Sequence, residues 1–459
     1  MSDGHERVLS FEEALAVVLV EARGLAVEHG VERVALAEAD GRVLAAAVRA
    51  ERDQPGFDRS TRDGFAVRAG DVGTRRVVGS LRAGEVWRGA LVGAGEAVEI
   101  MTGAPVPAGA DAVVMVEHVS FREGWVSVEG GRVLRAGENV VARGAEARAG
   151  DSLLPVGRVM GAAEIAVTAS CGLAEVEVFA RPVVAVVATG DELVEVPAVV
   201  DPTHPQSARM DGAPRVLAGA EIWNSNGYAL AALVRGEGGV ARRLAIARDN
   251  VEDLRTRIEE GHEADLVLLS GGVSMGKHDL VERVLLEMGA EFFFTGAMIQ
   301  PGKPVVFGRL PRRTGAGAKA HFEISSQQGP EGPFSLRKDE GTEWIYFFGL
   351  PGNPISTQVC FHLFVVPILR AMAGRTVIEP GFVEARLAEE VKSGALKSNG
   401  VVRFLPAELV SAWDGVSVRV VGWQGSGDVA ANARGNCYCV LPVGPEVFRA
   451  GETVRVLLR

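Results

Sequence analysis

The sequence predicts a multidomain chain: a central doubly wound, mostly parallel α/β domain, an inserted small β domain and a C-terminal β barrel-like domain. Three observations predict this fold class. The chain has 459 residues, more than one hydrophobic core organises, so about two to four domains are expected. Residues 181–376 alternate short apolar runs with amphipathic helical patterns, the texture of parallel strands joined by crossover helices. Residues 51–144 and 377–459 carry brief alternating runs separated by Gly, the texture of antiparallel β structure.

In chain order, Ser10-Phe11-Glu12-Glu13 is a capping box that opens a helix through about His29. Residues 1–50 and 145–180 are grouped as a discontinuous first domain, with a helix over 161–167 and a strand over 175–179. The small β domain, 51–144, is inserted in it, with runs at 77–78, 98–100, 113–116 and 126–128. The α/β domain, 181–376, starts with a strand over 183–188, then a Pro-rich loop and a helix near Ser225, which suits N-cap. A strand over 243–247 precedes Asp249-Asn250 and a helix with Asp253 at N3. A strand over 265–269 leads into Ser270-Gly271-Gly272, then a helix on Val281, Val284, Leu285 and Met288, stopped by Gly289. A strand over 291–295, a hairpin, and a helix from Pro354 follow, with Asn353 suited to N-cap and Pro367 expected to kink the helix. Residues 309–343 are polar and lack a period, so they are expected as a surface insertion in the hairpin. Residues 377–459 form the last, all-β domain.

Composition narrows the function. A net charge of −11 and a pI near 5.4 exclude the basic face that a nucleic-acid binder needs. An anion must therefore be held by local N–H groups and a few basic residues. Cys171, Cys360, Cys437 and Cys439 lack zinc-site spacing. Cys437 and Cys439 share one face of a strand, where packing is their expected role. No apolar segment follows a basic N-terminus, and no run is expected to reach the roughly 18 apolar residues of a membrane span. A cytoplasmic protein is expected.

The chemistry concentrates at strand ends. Ser270-Gly271-Gly272 lies between a strand and a helix, where absent side chains let backbone N–H groups approach an oxyanion. Thr189-Gly190-Asp191-Glu192, Pro301-Gly302-Lys303-Pro304 and Leu350-Pro351-Gly352-Asn353-Pro354 are placed at the same edge of one sheet. Glu192, Asp249 and Asp279 each follow a strand there. Carboxylates about 5 Å apart repel by roughly 3 kcal/mol at an effective dielectric near 20, so a close cluster calls for a cation. Oxygen ligands beside phosphate-binding loops point to Mg²⁺. Capping is the alternative for each: Asp279 with Glu282 completes a capping box, and Asp249 or Asn250 suits the next helix.

These motifs together resemble the MoeA family, the molybdopterin molybdenumtransferases, related to the E domain of gephyrin. The resemblance rests on the strand-end segments above, with Asn224-Ser225-Asn226 and Ser270-Gly271-Gly272-Val273-Ser274. It extends to residues 57–66 (FDRSTRDGFA), residues 102–111 (TGAPVPAGAD) and the turn Gln424-Gly425-Ser426-Gly427. It implies insertion of molybdate into adenylylated molybdopterin with release of AMP, dependent on Mg²⁺. It implies a molybdenum cofactor-binding α/β domain in an elongated homodimer. Each active site would be composite, with Asp63 and Thr102 from the second domain, and Glu192, Asp249 and Asp279, the Mg²⁺ ligands, from the third. Ser270, Gly271, Gly272, Ser274, Gly302, Lys303, Pro351, Gly352 and Asn353 are then the substrate- and phosphate-binding residues, with Lys303 a fixed cation. Partners implied are a molybdopterin adenylyltransferase and acceptor molybdoenzymes.

Three departures stand out. Where the family often carries Lys, this chain has Gln300 and Gly296. An arginine-rich family segment is reduced to Arg143 within residues 141–146. The insertion brings Arg309, Arg312, Arg313 and Lys319, which are candidates to restore charge to the site. Two other readings are a molybdopterin adenylyltransferase, which the flanking β domains disfavour, and a catalytically weakened molybdopterin-binding or scaffold protein, which the lost lysines favour.

Overall fold

The computed structural model describes residues 7–25, 30–197, 217–272, 280–312, 343–392, 400–413 and 415–459. They divide into two compact units, Met1–Val31 with Phe179–Arg459, and Glu32–Val178.

In the unit Glu32–Val178, Leu44, Val48, Leu154, Met160, Val176 and Val178 share one core, so the segments on either side of the inserted β region fold together. The inserted region is a six-stranded sheet in the order Ala112–Met115, Gly64–Val67, Glu96–Ile100, Arg75–Leu81, Trp125–Val128, Val119–Arg122. Alternation sends Ala66, Val98, Ile100 and Val113 to one face and Phe65, Val67, Ala97 and Val114 to the other.

In the other unit, a six-stranded sheet runs Val240–Arg243, Val183–Ala188, Leu266–Ser270, Trp344–Leu350, Val306–Pro311, Glu291–Phe294. The first four strands are parallel and the last two extend the sheet as antiparallel neighbours. Period two divides its side chains between two cores. Val184, Val186, Leu266, Leu268, Phe348 and Leu350 face one, and Ala185, Val187, Val267, Leu269 and Phe347 face the other. Helices cover both faces, which makes the sheet doubly wound.

The helices show why the sequence folds this way. α1, Phe11–Gly24, opens on the expected capping box, with Ser10 and Glu13 exchanging hydrogen bonds. Its Ala14, Val17, Val18 and Ala22 enter the first α/β core, so this helix, grouped above with 145–180, packs on the α/β sheet. α2 is Ala162–Ser170, in the other unit. α3, Ser225–Gly236, is capped by Asn224, whose side chain accepts from the Gly227 N–H at 2.9 Å. The cap is thus one residue earlier than the expected Ser225, because the Asn carbonyl reaches the third N–H of the helix. α4, Val251–Gly261, is capped by Asn250, which accepts from Asp253 N–H. The strand expected at 243–247 lies at Val240–Arg243, and only Ala247 returns to bridge Thr189. α5, Leu280–Glu287, buries Val281, Val284 and Leu285. Gly289, at φ +89°, ends it, with Gly289 N–H donating to Leu286 O and Ala290 N–H to Leu285 O.

α6, Pro354–Cys360, passes through a π-helical segment, Phe361–Val365, into α7, Val366–Met372. Pro367 has no N–H to give the carbonyl four residues back, and the chain adjusts with a wider turn in which Val366 N–H donates to Phe361 O. Contrary to expectation, the run Pro354–Met372 is long and apolar enough to cross a bilayer; it is instead a core helix, 89% buried inside the protein.

The C-terminal strands close into a barrel: Val402–Ala412, Gly415–Val420, Phe382–Leu387, Thr453–Leu458 and Cys437–Leu441, which pairs back onto Val402–Ala412. Cys437 and Cys439 share its interior with Leu405, Val418 and Val456, and burial raises the pKa of both thiols, Cys439 to about 12. They pack, as expected.

The stem of the insertion corrects one expectation. The strand Trp344–Leu350 runs toward the site, so its partner Val306–Pro311 ends at the opposite edge of the sheet, where Arg312 N–H donates to Glu343 O at 2.7 Å. Arg309 pairs there with Glu291 and lies 4.1 Å over the Trp344 ring, and Arg312 pairs with Asp265. Neither reaches the site, which is a strand length of roughly 20 Å away; Arg313 and Lys319 lie outside the described residues. Replacing residues 314–341 by a short Gly/Ser turn is therefore expected to shift the melting temperature by no more than a few degrees, since loop closure costs grow slowly with length. Loss of soluble protein would show that these residues carry part of the core.

Candidate active site

Five loops meet at the C-terminal edge of the parallel sheet. Gly190 N–H donates to Ala247 O at 3.1 Å, Thr189 N–H to Ser270 O at 2.9 Å and Gly271 N–H to Leu350 O at 3.0 Å. Val306 is paired with Gly349, which brings the loop 301–304 to the same edge.

Close approach demands the glycines. Gly271 (φ +100°) and Gly272 (φ +67°) lie in the left-handed region. A methyl group on Gly271 would stand 2.6 Å from Thr189 O, and one on Gly272 would stand 2.7 Å from Val281 Cγ2. The loops are in contact at backbone level, and the N–H groups of Thr189, Gly190 and Gly271 join them to one another.

One side chain ties them. Asn226, in the first turn of α3, donates from Nδ2 to Gly352 O at 2.7 Å, Ser270 Oγ at 3.0 Å and Thr357 Oγ1 at 3.3 Å. Thr357 Oγ1 in turn donates to Pro351 O. Ser270 is almost fully buried, so its hydroxyl serves to hold Asn226, and what reaches a ligand from this segment is backbone. Thr189 Oγ1, buried beside Gly271 and Gly272, has no hydrogen-bond partner among the described residues. Asn353 sits at the N-cap of α6 but makes no capping bond with its side chain, which is left exposed. Ile355 N–H donates to Ser426 O at 3.0 Å, so the Gln424–Gly427 turn of the barrel lies against the start of α6. Gly302 packs at the far end of α6, where its carbonyl accepts from Cys360 Sγ at 3.5 Å.

The acidic residues divide in a way the sequence left open. Asn250 caps α4, which frees Asp249 from that role. Asp249 N–H donates to Asp191 Oδ1 at 3.2 Å, and a methyl on Gly190 would stand 2.5 Å from Glu192 Oε2. Asp191, Glu192 and Asp249 thus occupy adjoining loops, all exposed. Asp279 and Ser274 lie outside the described residues. Among the described residues no three Asp, Glu, His or Cys side chains gather as a metal-holding group; the expected set of Glu192, Asp249 and Asp279 lies only in part among them. Glu192 and Asp249 are the described carboxylates at this edge that could hold a divalent cation.

In the unit Glu32–Val178, Asp63 and Thr102 are brought together. Asp63 Oδ1 accepts from Thr102 N–H at 2.6 Å and from Thr102 Oγ1 at 2.9 Å. These bonds, the backbone one foremost, hold the Asp63 carboxyl below its ordinary pKa. The two segments run together: Gly103 N–H donates to Ser60 O and Val106 N–H to Asp58 O. Gly64 is enforced, because a methyl there would lie 1.9 Å from Val114 O. Arg143, remnant of the arginine-rich segment, is paired with Asp53 at 2.8 Å.

Sequence reasoning singled out the Gly loops and missed the role of Asn226. The signal was present in the polar Asn224-Ser225-Asn226 at a helix start, but the cap was read at Ser225 and nothing marked Asn226 as reaching across two loops. Gly296 is buried under Val8, with a methyl at 3.0 Å from Val8 Cγ2, so no long side chain fits there.

An open α/β sheet with Gly-rich, amide-tied loops at its strand ends defines a domain of the doubly wound class. Residues 9–172 match the MoeA N-terminal region (domain I and II), residues 185–371 a probable molybdopterin binding domain, and residues 384–458 the MoeA C-terminal region (domain IV). A molybdopterin molybdenumtransferase of Staphylococcus aureus (strain N315) is 33% identical over 93% of this chain and 90% of its own. One from Nostoc sp. is 32% identical over 94% and 89%. A solved structure of the molybdopterin biosynthesis MoeA protein from Pyrococcus horikosii covers 98% of this chain and 99% of its own, at 30% identity and a TM-score of 0.67. The chain belongs to the MoeA family.

Asn226→Ala leaves Ser270 Oγ and Gly352 O without their donor, so it is expected to cost about 1–3 kcal/mol of stability. Hydrogen exchange should accelerate over residues 270–272 and 350–353 and stay unchanged over 64–67. Unchanged exchange at both loops would show that Asn226 does not hold them.

Proposed function

We propose that this chain performs the last step of molybdenum cofactor synthesis, inserting molybdate into the dithiolene of adenylylated molybdopterin with release of AMP. The observation that carries the reading is the set of Gly-rich loops at one sheet edge, with 270–272 and 350–353 tied by Asn226 and 189–192 joined to them through Thr189 N–H. Such an edge receives a phosphate-bearing substrate without a net positive protein. The full-length relatives named molybdopterin molybdenumtransferase support the same reading.

Each residue has a physical role in it. N–H groups of Gly272 and Gly352 hold phosphate oxygens, and Lys303 adds a charge. Thr189 Oγ1, buried and unpartnered, gives a further hydrogen bond to whatever enters. Mg²⁺ would be held by Glu192 and Asp249, with Asp279 a third candidate, and would offset phosphate charge. Asp63, kept ionised by Thr102, offers a fixed carboxylate. We propose that it acts from the second subunit of a homodimer, completing a composite site, and that the product passes between a molybdopterin adenylyltransferase and acceptor molybdoenzymes through transient contacts. A second reading, a weakened enzyme that chiefly binds molybdopterin, is favoured by Arg143, whose guanidinium is committed to Asp53.

Expression in a bacterium lacking its molybdenum insertase is expected to restore nitrate reductase activity. Asp249→Asn and Asp63→Ala should each restore less than roughly a tenth, the loss of one charged contact in the reacting complex, and Asp249→Asn should leave the melting temperature unchanged because Asn250 is the cap. Co-expressing the two variants should recover part of the activity through hybrid dimers. No activity from the unaltered chain, with molybdopterin still bound, would favour the second reading. Full activity of either single variant would remove that residue from the site, and a dead mixture with proven subunit exchange would sink the composite dimer.

A further inference from the structure

The segment that carries Glu192 is held from both sides. On one side Leu193–Val194 pairs in parallel with Ile222–Trp223, and Ile222 N–H donates to Glu192 O and Asn224 N–H to Val194 O, each at 2.9 Å. On the other side lies the chain that follows the strand Val240–Arg243. There Ala247 O accepts from Gly190 N–H at 3.1 Å, and the Arg248 guanidinium donates to Asp191 O, also at 3.1 Å. These are restraints on backbone, and they leave the side chains of Asp191 and Glu192 exposed.

Glu195, in the same segment, is bound at both carboxylate oxygens. Oε1 accepts from Asn224 Nδ2 at 2.6 Å, and Oε2 is paired with Arg243. Arg243 is fixed in turn, with its guanidinium 3.7 Å over the ring of Tyr228 in α3, and the Tyr228 hydroxyl donates to Val196 O at 3.4 Å. A guanidinium stacked on a ring and paired with a carboxylate has little freedom left. Of the carboxylates of Asp191, Glu192 and Glu195, only that of Glu195 is ion-paired among the described residues. Asp191 and Glu192, with Asp249 from the adjoining loop, are left to attract a cation.

We propose that Arg243 is a positioning residue for Glu192: through Glu195 it fixes the segment 192–196 against α3 and keeps the Glu192 carboxylate at the sheet edge where a divalent cation binds. The inference rests on the Mg²⁺ reading of Glu192 and Asp249 and deepens it by naming what holds that carboxylate in place. A metal ligand depends on the groups that orient it, and one that is free to swing binds more weakly. Charge alone makes the opposite demand, because removing a cation from an acidic loop strengthens divalent binding. The two roles of Arg243 therefore differ in sign.

Titration of the full-length protein with Mn²⁺, the free ion being read by electron paramagnetic resonance, tests it. Mn²⁺ takes the octahedral oxygen sites that suit Mg²⁺, and binding that is lost in Glu192→Gln marks the site. Arg243→Gln is expected to weaken Mn²⁺ binding roughly tenfold, the low end of what losing a group that orients a metal ligand costs. Glu195→Gln, a partly exposed change that keeps an acceptor for Asn224, should weaken it to a similar extent and covers the case that Arg243→Gln does not fold. The double variant has the net charge of the unaltered protein, and it should bind no more weakly than either single variant because both act through one pair. Hydrogen exchange should accelerate over residues 192–196 in all three variants and stay unchanged over 64–67. Stronger Mn²⁺ binding in Arg243→Gln, or unaltered affinity in the double variant, gives Arg243 a charge role only and overturns the inference while the Mg²⁺ reading stands. Unchanged exchange over 192–196 in Glu195→Gln overturns it as well. Mn²⁺ binding that is absent from the unaltered protein, or that does not depend on Glu192, refutes the Mg²⁺ reading and this inference with it.

Discussion

A single side-chain amide, Asn226 Nδ2, holds three parts of the site that are remote in sequence: the end of one strand at Ser270, the loop at Gly352 and the first turns of α6 at Thr357. Of its partners, Ser270 Oγ is almost fully buried and depends on the amide most. With Gly352 O turned toward Asn226 and Gly271 N–H bonded to Leu350 O, the two loops are held to each other from both sides.

The rest of the α/β unit serves to keep that edge in register. The sheet splits its side chains between two apolar cores with Val184, Val186, Leu266 and Leu268 on one side and Ala185, Val187, Val267 and Leu269 on the other. A slip of one residue would exchange the two sets and move Ser270 off the edge. α6 ties the edge to the barrel, through Ile355 to Ser426 at its start and, at its far end, through Cys360 to Gly302, which adjoins the strand paired with Val402 and Arg403. The Gly-rich loops and the first barrel strand are therefore joined through one helix.

Much of this was legible in the sequence because it depends on period and on small residues. The capping box at Ser10, the strand over 183–188, the Gly289 stop and the gathering of Gly loops at one edge all follow from local rules, and the structure has them. What was not legible depends on pairing across long sequence separations. Nothing near Asn226 announces Gly352, 126 positions on, and nothing near Arg243 announces Glu195. The insertion misled for the same reason: Arg309 and Arg312 follow the Lys303 loop closely in sequence, yet one strand carries them to the far edge of the sheet, where Glu291 and Asp265 hold them. Asp249 was ambiguous until the structure gave the cap of α4 to its neighbour Asn250.

The central claim is that backbone N–H groups of the amide-tied loops receive the phosphate of the substrate. A crystal structure with bound AMP tests it most directly. The account predicts a phosphate within hydrogen-bonding distance, about 3 Å, of the N–H groups of Gly272, Gly352 or Asn353, with Asn226 still joined to Ser270 and Gly352. A well-occupied AMP whose phosphate touches none of these N–H groups would contradict it.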